Sequence, residues 1–472
     1  MSFLPVLLWS DALIWLLTLA GSMLAFLSWC RPPLRAAWRR VGASRPGMAA
    51  ATVLAAFVLV GLVDSLHYRP LLESIDPDRP ATHAVEVLSA LDALAAPLRL
   101  SSERTYSAPL ATRAYARETM EIRAADGSAR VVRDFPRLKY GGAHLGDDEA
   151  GRDGDVLKKI ALAVVVAVVL FTALASGTTW ILARRSGQGF TRTWRELWRG
   201  ETGFAWNAVL AAIGVLLLVV LPVLALCGDY HVFGTDKVGQ DVFYQILKSV
   251  RTALVIGLVT TLVTLPLAIA LGILAGYFRG WVDDAIQYLY TTLSSIPGVL
   301  LIAAAVLMMQ VVIDTHPQWF ATAAERADLR LLALCFILGL TSWTSLCRLL
   351  RGETLKLREL EYIQAAQAFG VADLAILRRH VLPNLMHIVI IALVMDFSGL
   401  VLAEAVLSYV GIGVDPTMVS FGTMINNARM ELSREPAVWW SLVSAFVFMF
   451  ALVLAANLLA DAVRDAFDPR MG

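Results

Sequence analysis

LKLRELEYIQAAQAFGVADLAILRRHVLPN, residues Leu355 to Asn384, is a polar, helix-favouring segment set between two strongly apolar runs. Its middle carries Ala365, Ala366 and Gly370 among polar neighbours, and its end carries Arg378, Arg379 and His380 before Leu382 and Pro383. On a helix, residues four apart share a face. Ala365, Ala366 and Gly370 are therefore read as one bare patch where a partner's surface can approach the backbone. Glu361, Gln364, Gln367 and Arg378 flank it with hydrogen-bonding groups, and Pro383 suits the first turn of a following helix. The residues alone leave two readings open. One is a docking helix offered to something in the aqueous phase. The other is an ordinary interfacial helix, rich in alanine because alanine is a good helix former.

The flanking runs belong to a very apolar chain. Of 472 residues, 58% are hydrophobic and 17% charged, and the mean hydropathy is +0.65. That is the composition of a polytopic, all-α membrane protein. A net charge of +1 gives no bulk attraction to nucleic acid. The cysteines, Cys30, Cys227, Cys335 and Cys347, are far apart in or near apolar runs with no CxxC pair, so they read as small apolar side chains. His231, His316 and His387 are scattered without a second ligand at useful spacing, and no metal site is expected. No GxxxxGK[ST] loop occurs, so any ATP chemistry has to come from another chain.

A spanning helix needs about 20 mostly apolar residues, and about nine stretches qualify. They are roughly 4–29, 48–66, 157–182, 205–227, 251–277, 286–313, 330–348, 385–412 and 438–460. Asp11 interrupts the first, and its arginines follow rather than precede it, which is wrong for a secretory signal. Arginines then cluster at 31–45, at 184–199 and around the Leu355 stretch. Nine spans with the N-terminus outside put all three clusters on the cytoplasmic side, with the C-terminus there too. Trp9, Trp29, Trp180, Trp206, Trp319, Trp439 and Trp440 sit near span ends, as membrane-interface anchors do.

Residues 67–155 then lie outside the membrane. The first half is proline-rich. In the second, Thr119 to Arg123, Asp126-Gly127 and Ala129 to Val132 read as one hairpin. The run Asp147, Asp148, Glu149, Asp153 and Asp155 does not fit a calcium loop and reads as a solvated linker. From residue 205 onward the spans contain Gly257, Pro266, Gly272, Gly276, Pro297 and Gly298, residues that let helices approach closely or break. The expected organisation is two spans over 1–66, an extracytoplasmic insert over 67–155, a third span and linker over 156–204, and a pathway-forming core over 205–472. Asp396 and Glu404 are carboxylates within a span, where charge is costly. Asp396 is a candidate pathway residue, whereas Glu404, near a span end, reads as structural.

QAAQAFG, nine residues and then HVLP resembles the EAA loop of ABC importer permeases, with Ala365, Ala366, Gly370, Leu382 and Pro383 in place. Gln364 stands where that family usually has Glu, with Glu361 one turn earlier, and His380 is familiar in its peptide branch. FGTDKVGQDVFYQILKSVRTAL (Phe233–Leu254) resembles the GTDxxGRD segment of the dipeptide, oligopeptide and nickel permeases, through Gly234, Thr235, Asp236, Gly239 and Asp241, with Gln240 for the usual Arg. GYFRGWVDD (Gly276–Asp284) is similar to that branch's short cytoplasmic turn, and Leu402–Arg429 to its outer segment, including Glu404, Ser408, Gly411, Gly413, Pro416 and Gly422. Phe135–Leu145 is similar, over a short stretch, to the outer insert of the microcin-C-type permease.

The resemblance covers about 205–470 and is to the second-permease, "C", type. It implies a six-helix permease core with three added N-terminal spans, in the bacterial inner membrane. Residues 355–380 would then be the coupling helix, seated in a groove of a cytoplasmic ATPase. It also implies a homologous permease, two ATPase subunits that hold ATP and Mg, and a periplasmic solute-binding protein that delivers peptides or similar solutes to the outer loops Gly228–Lys248 and Ser408–Arg434. The chain itself would catalyse no bond change, and its partners would include membrane lipid but no nucleic acid. Two rival classes remain: an ion-coupled secondary transporter working without ATPases, for which inverted-repeat symmetry is not evident, and a membrane-embedded enzyme, for which no nucleophile or metal cluster is found.

Overall fold

The computed structural model describes residues 3–30, 32–71, 83–123, 129–146, 151–320 and 322–467. The Asp126-Gly127 turn and Asp147, Asp148 and Glu149 of the acidic run lie outside them, as do the side chains of Trp29 and Cys30.

The chain begins with β1 (Phe3–Val6), α1 (Trp9–Cys30), α2 (Pro32–Ala43) and α3 (Arg45–Asp64). β2 (His67–Pro70), β3 (Leu88–Ser89), α4 (Ala90–Leu94), α5 (Ala96–Leu100), β4 (Glu118–Arg123) and β5 (Ala129–Asp134) follow as a small insert. The long helices resume with α6 (Arg152–Ser186), α7 (Phe190–Arg199), α8 (Trp206–Leu226) and α9 (Val242–Phe278). The remainder is α10 (Gly280–Ser295), α11 (Gly298–Thr315), α12 (Ala323–Arg358), α13 (Glu361–Ala368), α14 (Asp373–Ile376), α15 (Leu382–Val410), α16 (Phe421–Arg429) and α17 (Trp440–Phe467).

Eight helices among the described residues are long and apolar enough to cross a membrane: α3, α6, α8, α9, α11, α12, the run through α14 and α15, and α17. α1 covers most of the remaining expected span. Two expectations need correction. The first span does not start at residue 4, because Phe3–Val6 pairs antiparallel with His67–Pro70; Pro5 has no N–H to give a helix and is tolerated on this edge strand. The 286–313 span is not continuous either. Ile296 is extended (φ −90°, ψ 134°) ahead of Pro297, so the helix breaks there as the residue before a proline favours.

Paired contacts define two ends of the bundle. The insert meets the 227–241 loop at one end, where Ser107 N donates to Thr235 Oγ1 at 2.7 Å and Gly142 N to Asp229 O at 2.7 Å. α2, α13 and the end of α17 lie at the other, with Trp38 packed edge-on against Phe467 at 5.5 Å. The expected hairpin is β4 paired with β5, from Glu118↔Asp134 to Arg123↔Ala129.

The centre is the pair α9 and α12, the most extensively packed helices of the chain. Glycine lets their backbones touch. A Cβ at Gly272 would lie 2.8 Å from Cys347 O, one at Gly276 would lie 2.8 Å from Arg351 O, and one at Gly339 would lie 2.6 Å from Val263 Cβ. Such small-residue contacts are the usual means of tight helix association where no water drives the helices together.

Candidate coupling surface and outer clamp

α13 is short, yet it is held firmly. Ile363 is fully buried in a cluster with Tyr277 of α9, Leu350 of α12, and Ile376, Val381 and Leu385. Tyr277 Oη donates to Asp373 Oδ1 at 2.7 Å and accepts from Gln367 Nε2 at 3.0 Å. Arg279 pairs with Glu359 at 2.6 Å, and Asp283 of α10 meets Arg351 of α12 through two bonds of 2.6 and 2.7 Å. Movement of α13 is therefore tied to movement of α9, α10 and α12.

The outward side is bare and apolar. Glu361, Gln364, Ala365, Ala368 and Gly370 are exposed. Phe369 is 86% exposed and Leu374 76%. Sequence reasoning did not single out these two large apolar side chains, because in an apolar chain they look ordinary; their signal is position within the one polar stretch. Gln364 Nε2 donates to Glu359 O at 3.2 Å. His380 and Tyr362 rings lie 5.9 Å apart, while Asn384 Nδ2 donates to Tyr362 Oη at 3.0 Å and to His380 O at 2.8 Å. Leu382 is half-buried and Pro383 exposed at the start of α15. Before them, Leu377–Val381 forms a π-helical turn, an uncommon local widening found often at functional sites.

Ala365, Ala366 and Gly370 do not form the single helical face expected of them. Ala366 packs inward on the core cluster. Gly370 lies beyond the helix with φ +73°, and Val371 N donates to Ala366 O at 3.1 Å while Gly370 N donates to Gln367 O at 3.0 Å. This is a glycine-terminated helix end, with the carbonyls closed off by a left-handed residue. Glycine is needed for its backbone, since a Cβ there would meet nothing within 4 Å.

At the other end, Gly234, Thr235, Asp236, Gly239 and Asp241 form a tight loop before α9. Asp236 Oδ1 accepts from Val238 N and Gln240 N at 3.0 and 2.9 Å. Asp241 caps α9, accepting from Phe243 N at 2.8 Å. The loop was expected to face a delivery partner; instead, most of it is covered. A Cβ at Gly239 would lie 1.9 Å from Glu103 O, and one at Gly234 would lie 2.5 Å from Ser107 O. Thr235 Oγ1 donates to Thr105 O at 2.9 Å, and Trp440 Nε1 donates to Thr235 O at 3.0 Å. The insert segment 103–107 occupies the face, and Lys237, Val238 and Gln240 remain exposed.

His231 fastens this contact. Its Nδ1 is 2.8 Å from Asp241 Oδ2 and its Nε2 3.5 Å from Glu103 Oε1. Burial works against charging the imidazole, but the two carboxylates outweigh it and push its pKa up to about 9. Burial likewise works against the Glu103 carboxylate, yet His231 and the N–H groups of Tyr140, Lys139 and Gly141 hold its pKa at about 2. The Phe135–Leu145 stretch is thereby wrapped onto Glu103.

Glu404 is buried and accepts from Ser408 Oγ at 2.6 Å and Ser420 Oγ at 2.8 Å, so it ties α15 to α16. Gly411 ends α15 with φ +88°, a Cβ at Gly413 would fall 1.9 Å from Ser408 Oγ, and Pro416 is exposed. Asp396 is half-buried in α15 and has no hydrogen-bond or ion-pair partner among the described residues. It flanks a stripe of exposed apolar residues: Met395, Leu402, Val406 and Tyr409. Among the described residues, no three His, Cys, Asp or Glu side chains stand together so as to hold a metal ion.

A second buried cluster joins the N-terminal helices to the core, and only Asp11 hinted at it in the sequence. Arg251 of α9 donates to Asp11 Oδ1 at 2.6 Å and to Ser10 Oγ at 2.7 Å, and Ser10 bonds Asp328 of α12 through both its hydroxyl and its backbone N–H. His67 Nδ1 lies 2.7 Å from Asp11 Oδ2. Lys248, one turn away, meets Asp64 at 2.7 Å and Asp92 at 3.1 Å.

Residues 268–472 match the family described as "Binding-protein-dependent transport system inner membrane component". The glutathione transport system permease protein GsiD of Pectobacterium atrosepticum is 31% identical over 300 residues, 59% of this chain and 91% of that protein. The oligopeptide transport system permease protein OppC of Mycobacterium bovis is 32% identical over 242 residues, 51% of this chain and 77% of its own length. A solved structure of the MetNI methionine ABC transporter in inward-facing conformations aligns at 16% identity with a TM-score of 0.37, covering 48% of this chain and 97% of that one. With nine-tenths of a 31%-identical relative aligned to it, the chain belongs to the binding-protein-dependent transport system inner membrane components, the multi-pass permeases of ABC importers.

Proposed function

We propose that this chain is the second-type permease subunit of an ABC importer for peptides or similar small solutes in the bacterial inner membrane. The observation that carries the coupling role is the segment from α13 to α14: exposed at Ala365, Phe369 and Leu374, yet anchored through fully buried Ile363 to α9 and α12. In this reading Glu361, Gln364, Ala365, Ala368, Phe369, Gly370 and Leu374 meet the ATPase. ATP and Mg stay on two ATPase subunits, and closure of those subunits pushes α13 and tilts the packed helices. A homologous permease completes the solute cavity against the exposed stripe of α15, with Asp396 beside it as a carboxylate available to a cationic group of the solute. The chain makes and breaks no covalent bond. The N-terminus and the insert lie on the periplasmic side and the C-terminus in the cytoplasm, in keeping with the arginine clusters. Residues 205–472 form the permease unit, 1–66 and 156–204 the added spans and linker, and 67–155 the insert. The names of the GsiD and OppC relatives favour a peptide-like solute. A periplasmic binding protein would approach Lys237, Val238 and the insert surface, rather than the covered loop.

The test is purification of the native complex in mild detergent with mass spectrometry of its subunits. Two ATPases and one sister permease are expected. Recovery of a self-sufficient chain that transports solute down an ion gradient would instead establish the secondary-transporter reading.

A further inference from the structure

α7 serves no part of the coupling surface or the outer clamp. It is FTRTWRELWR, residues Phe190–Arg199, strung between the ends of α6 and α8. Its side chains divide into three sectors. Thr193 and Leu197 are buried, and Leu197 packs with Ala175 of α6 and Leu210 of α8. Phe190, Trp194 and Trp198 form a ladder along the next sector, with ring centroids 6.0 and 5.9 Å apart, and Phe171 of α6 closes it at 6.2 Å from Trp198. Arg192, Arg195 and Arg199 occupy the third. Arg192 pairs with Glu196 at 2.9 Å; Arg195 and Arg199 are exposed and make no ion pair among the described residues. A groove between α6 and α7 is lined by Ser176, Phe190, Trp194, Trp198, Arg195 and Arg199.

Two connections hold this helix at the membrane boundary. α6 and α8 both have the length and apolarity to cross the bilayer, and α7 is joined to each through a short link. Its C-terminal carbonyl, Arg199 O, also accepts from Arg45 Nη2 at 3.1 Å, at the start of the spanning α3. A short helix with aromatic rings on one side and unpaired arginines beside them is built to lie in the interface, rings towards acyl chains and guanidiniums at the level of the phosphates. Nearby Arg184, stacked on the Trp180 ring at 3.8 Å, repeats the pairing one element earlier. Against these cations stand Glu196, already engaged by Arg192, and Glu201.

We propose that the α6–α7 groove binds the headgroup of an anionic phospholipid, with Arg195 and Arg199 on its phosphate and the Phe190–Trp194–Trp198 edge against its glycerol and upper acyl chain. Charge favours an anionic lipid over a zwitterionic one, because the unpaired guanidiniums leave the groove with net positive charge. The bound lipid fixes the N-terminal spans at the end of the bundle that also carries α13.

The test uses the full chain, with whatever subunits accompany it, in nanodiscs of phosphatidylcholine with or without phosphatidylglycerol. Native mass spectrometry counts retained phosphatidylglycerol, and hydrogen exchange follows α7. Phosphatidylglycerol should be retained in preference to phosphatidylcholine and should slow exchange across 190–199. Arg195→Gln with Arg199→Gln should weaken retention about 30-fold, two arginines each contributing near the surface, while the double Lys variant keeps most of it. Equal retention of both lipids by the unaltered chain would overturn the proposal, and that arm needs no variant to fold. So would a Gln variant that keeps its lipid but loses an ATPase subunit, since the arginines would then serve a protein contact.

Discussion

His231 and Arg251 are single side chains on which separate parts of the molecule close. The His231 pKa is raised to about 9 in the folded chain against 6.5 for a free imidazole. A raised pKa contributes stability that is complete below 6.5 and lost as pH climbs through 9. Protease resistance of the 103–141 segment should therefore fall between pH 6.5 and 9, and His231→Gln should flatten that dependence. Resistance that stays constant across the window in the unaltered protein would remove the imidazolium from the clamp. Arg251 presents a different case. Removing it leaves buried Asp11 with His67 but without its guanidinium partner, and Arg251→Met should cost about 3–5 kcal/mol. Adding Asp11→Leu should recover much of that loss in a thermal-melt double-mutant cycle. Additive losses would show that the two residues act separately. Glu404, read from its place near a span end as structural, accepts from Ser408 and Ser420 and so links α15 to the start of α16.

At the scale of elements, α13 and its terminating glycine can be tested apart. Phe369→Asp changes a side chain that is 86% exposed, so the melting temperature should hold while ATPase co-purification is lost. Gly370→Arg should also abolish ATPase association while leaving the chain inserted, but by straining a left-handed position, at about 1–2 kcal/mol. If Phe369→Asp still recovers the ATPases in full, α13 is not the docking element. Between α9 and α12, Gly276→Ala should cost about 1–3 kcal/mol, because the new Cβ would press on Arg351 O, which belongs to backbone and cannot swing aside. The existence and place of α13 were legible because a polar run between apolar ones stands out locally. Its end at Ala368 was readable too, from Gly370 as a helix stop. Continuing the helical face through that glycine set aside the commonest conformational use of the residue.

For the whole molecule, the prediction is dependence on company. Reconstituted by itself without nucleotide, the chain should move no solute, and transport should appear only with its ATPases and sister permease. Asp396→Asn in the complete assembly should lower uptake of solutes with a cationic group more than that of neutral ones. Equal uptake of both would take Asp396 out of the pathway. The insert should also slow exchange of the 234–241 backbone, since it covers that loop.

Hydropathy by itself determined the class of this protein and the approximate places of its helices. A span is a sum over contiguous residues, and the bilayer imposes its length. The polar segment that holds α13 followed from the same local contrast, while its reading as a coupling element rests on the family resemblance. Only the tertiary structure decided that the outer loop is sealed by Glu103–Ser107, that Asp11 is answered by Arg251, and that Phe369 rather than a continuous alanine face is presented outward. These depend on groups such as Ser10 and Asp328, 318 positions apart, and no periodicity along the chain encodes which distant charge will arrive to satisfy a buried one.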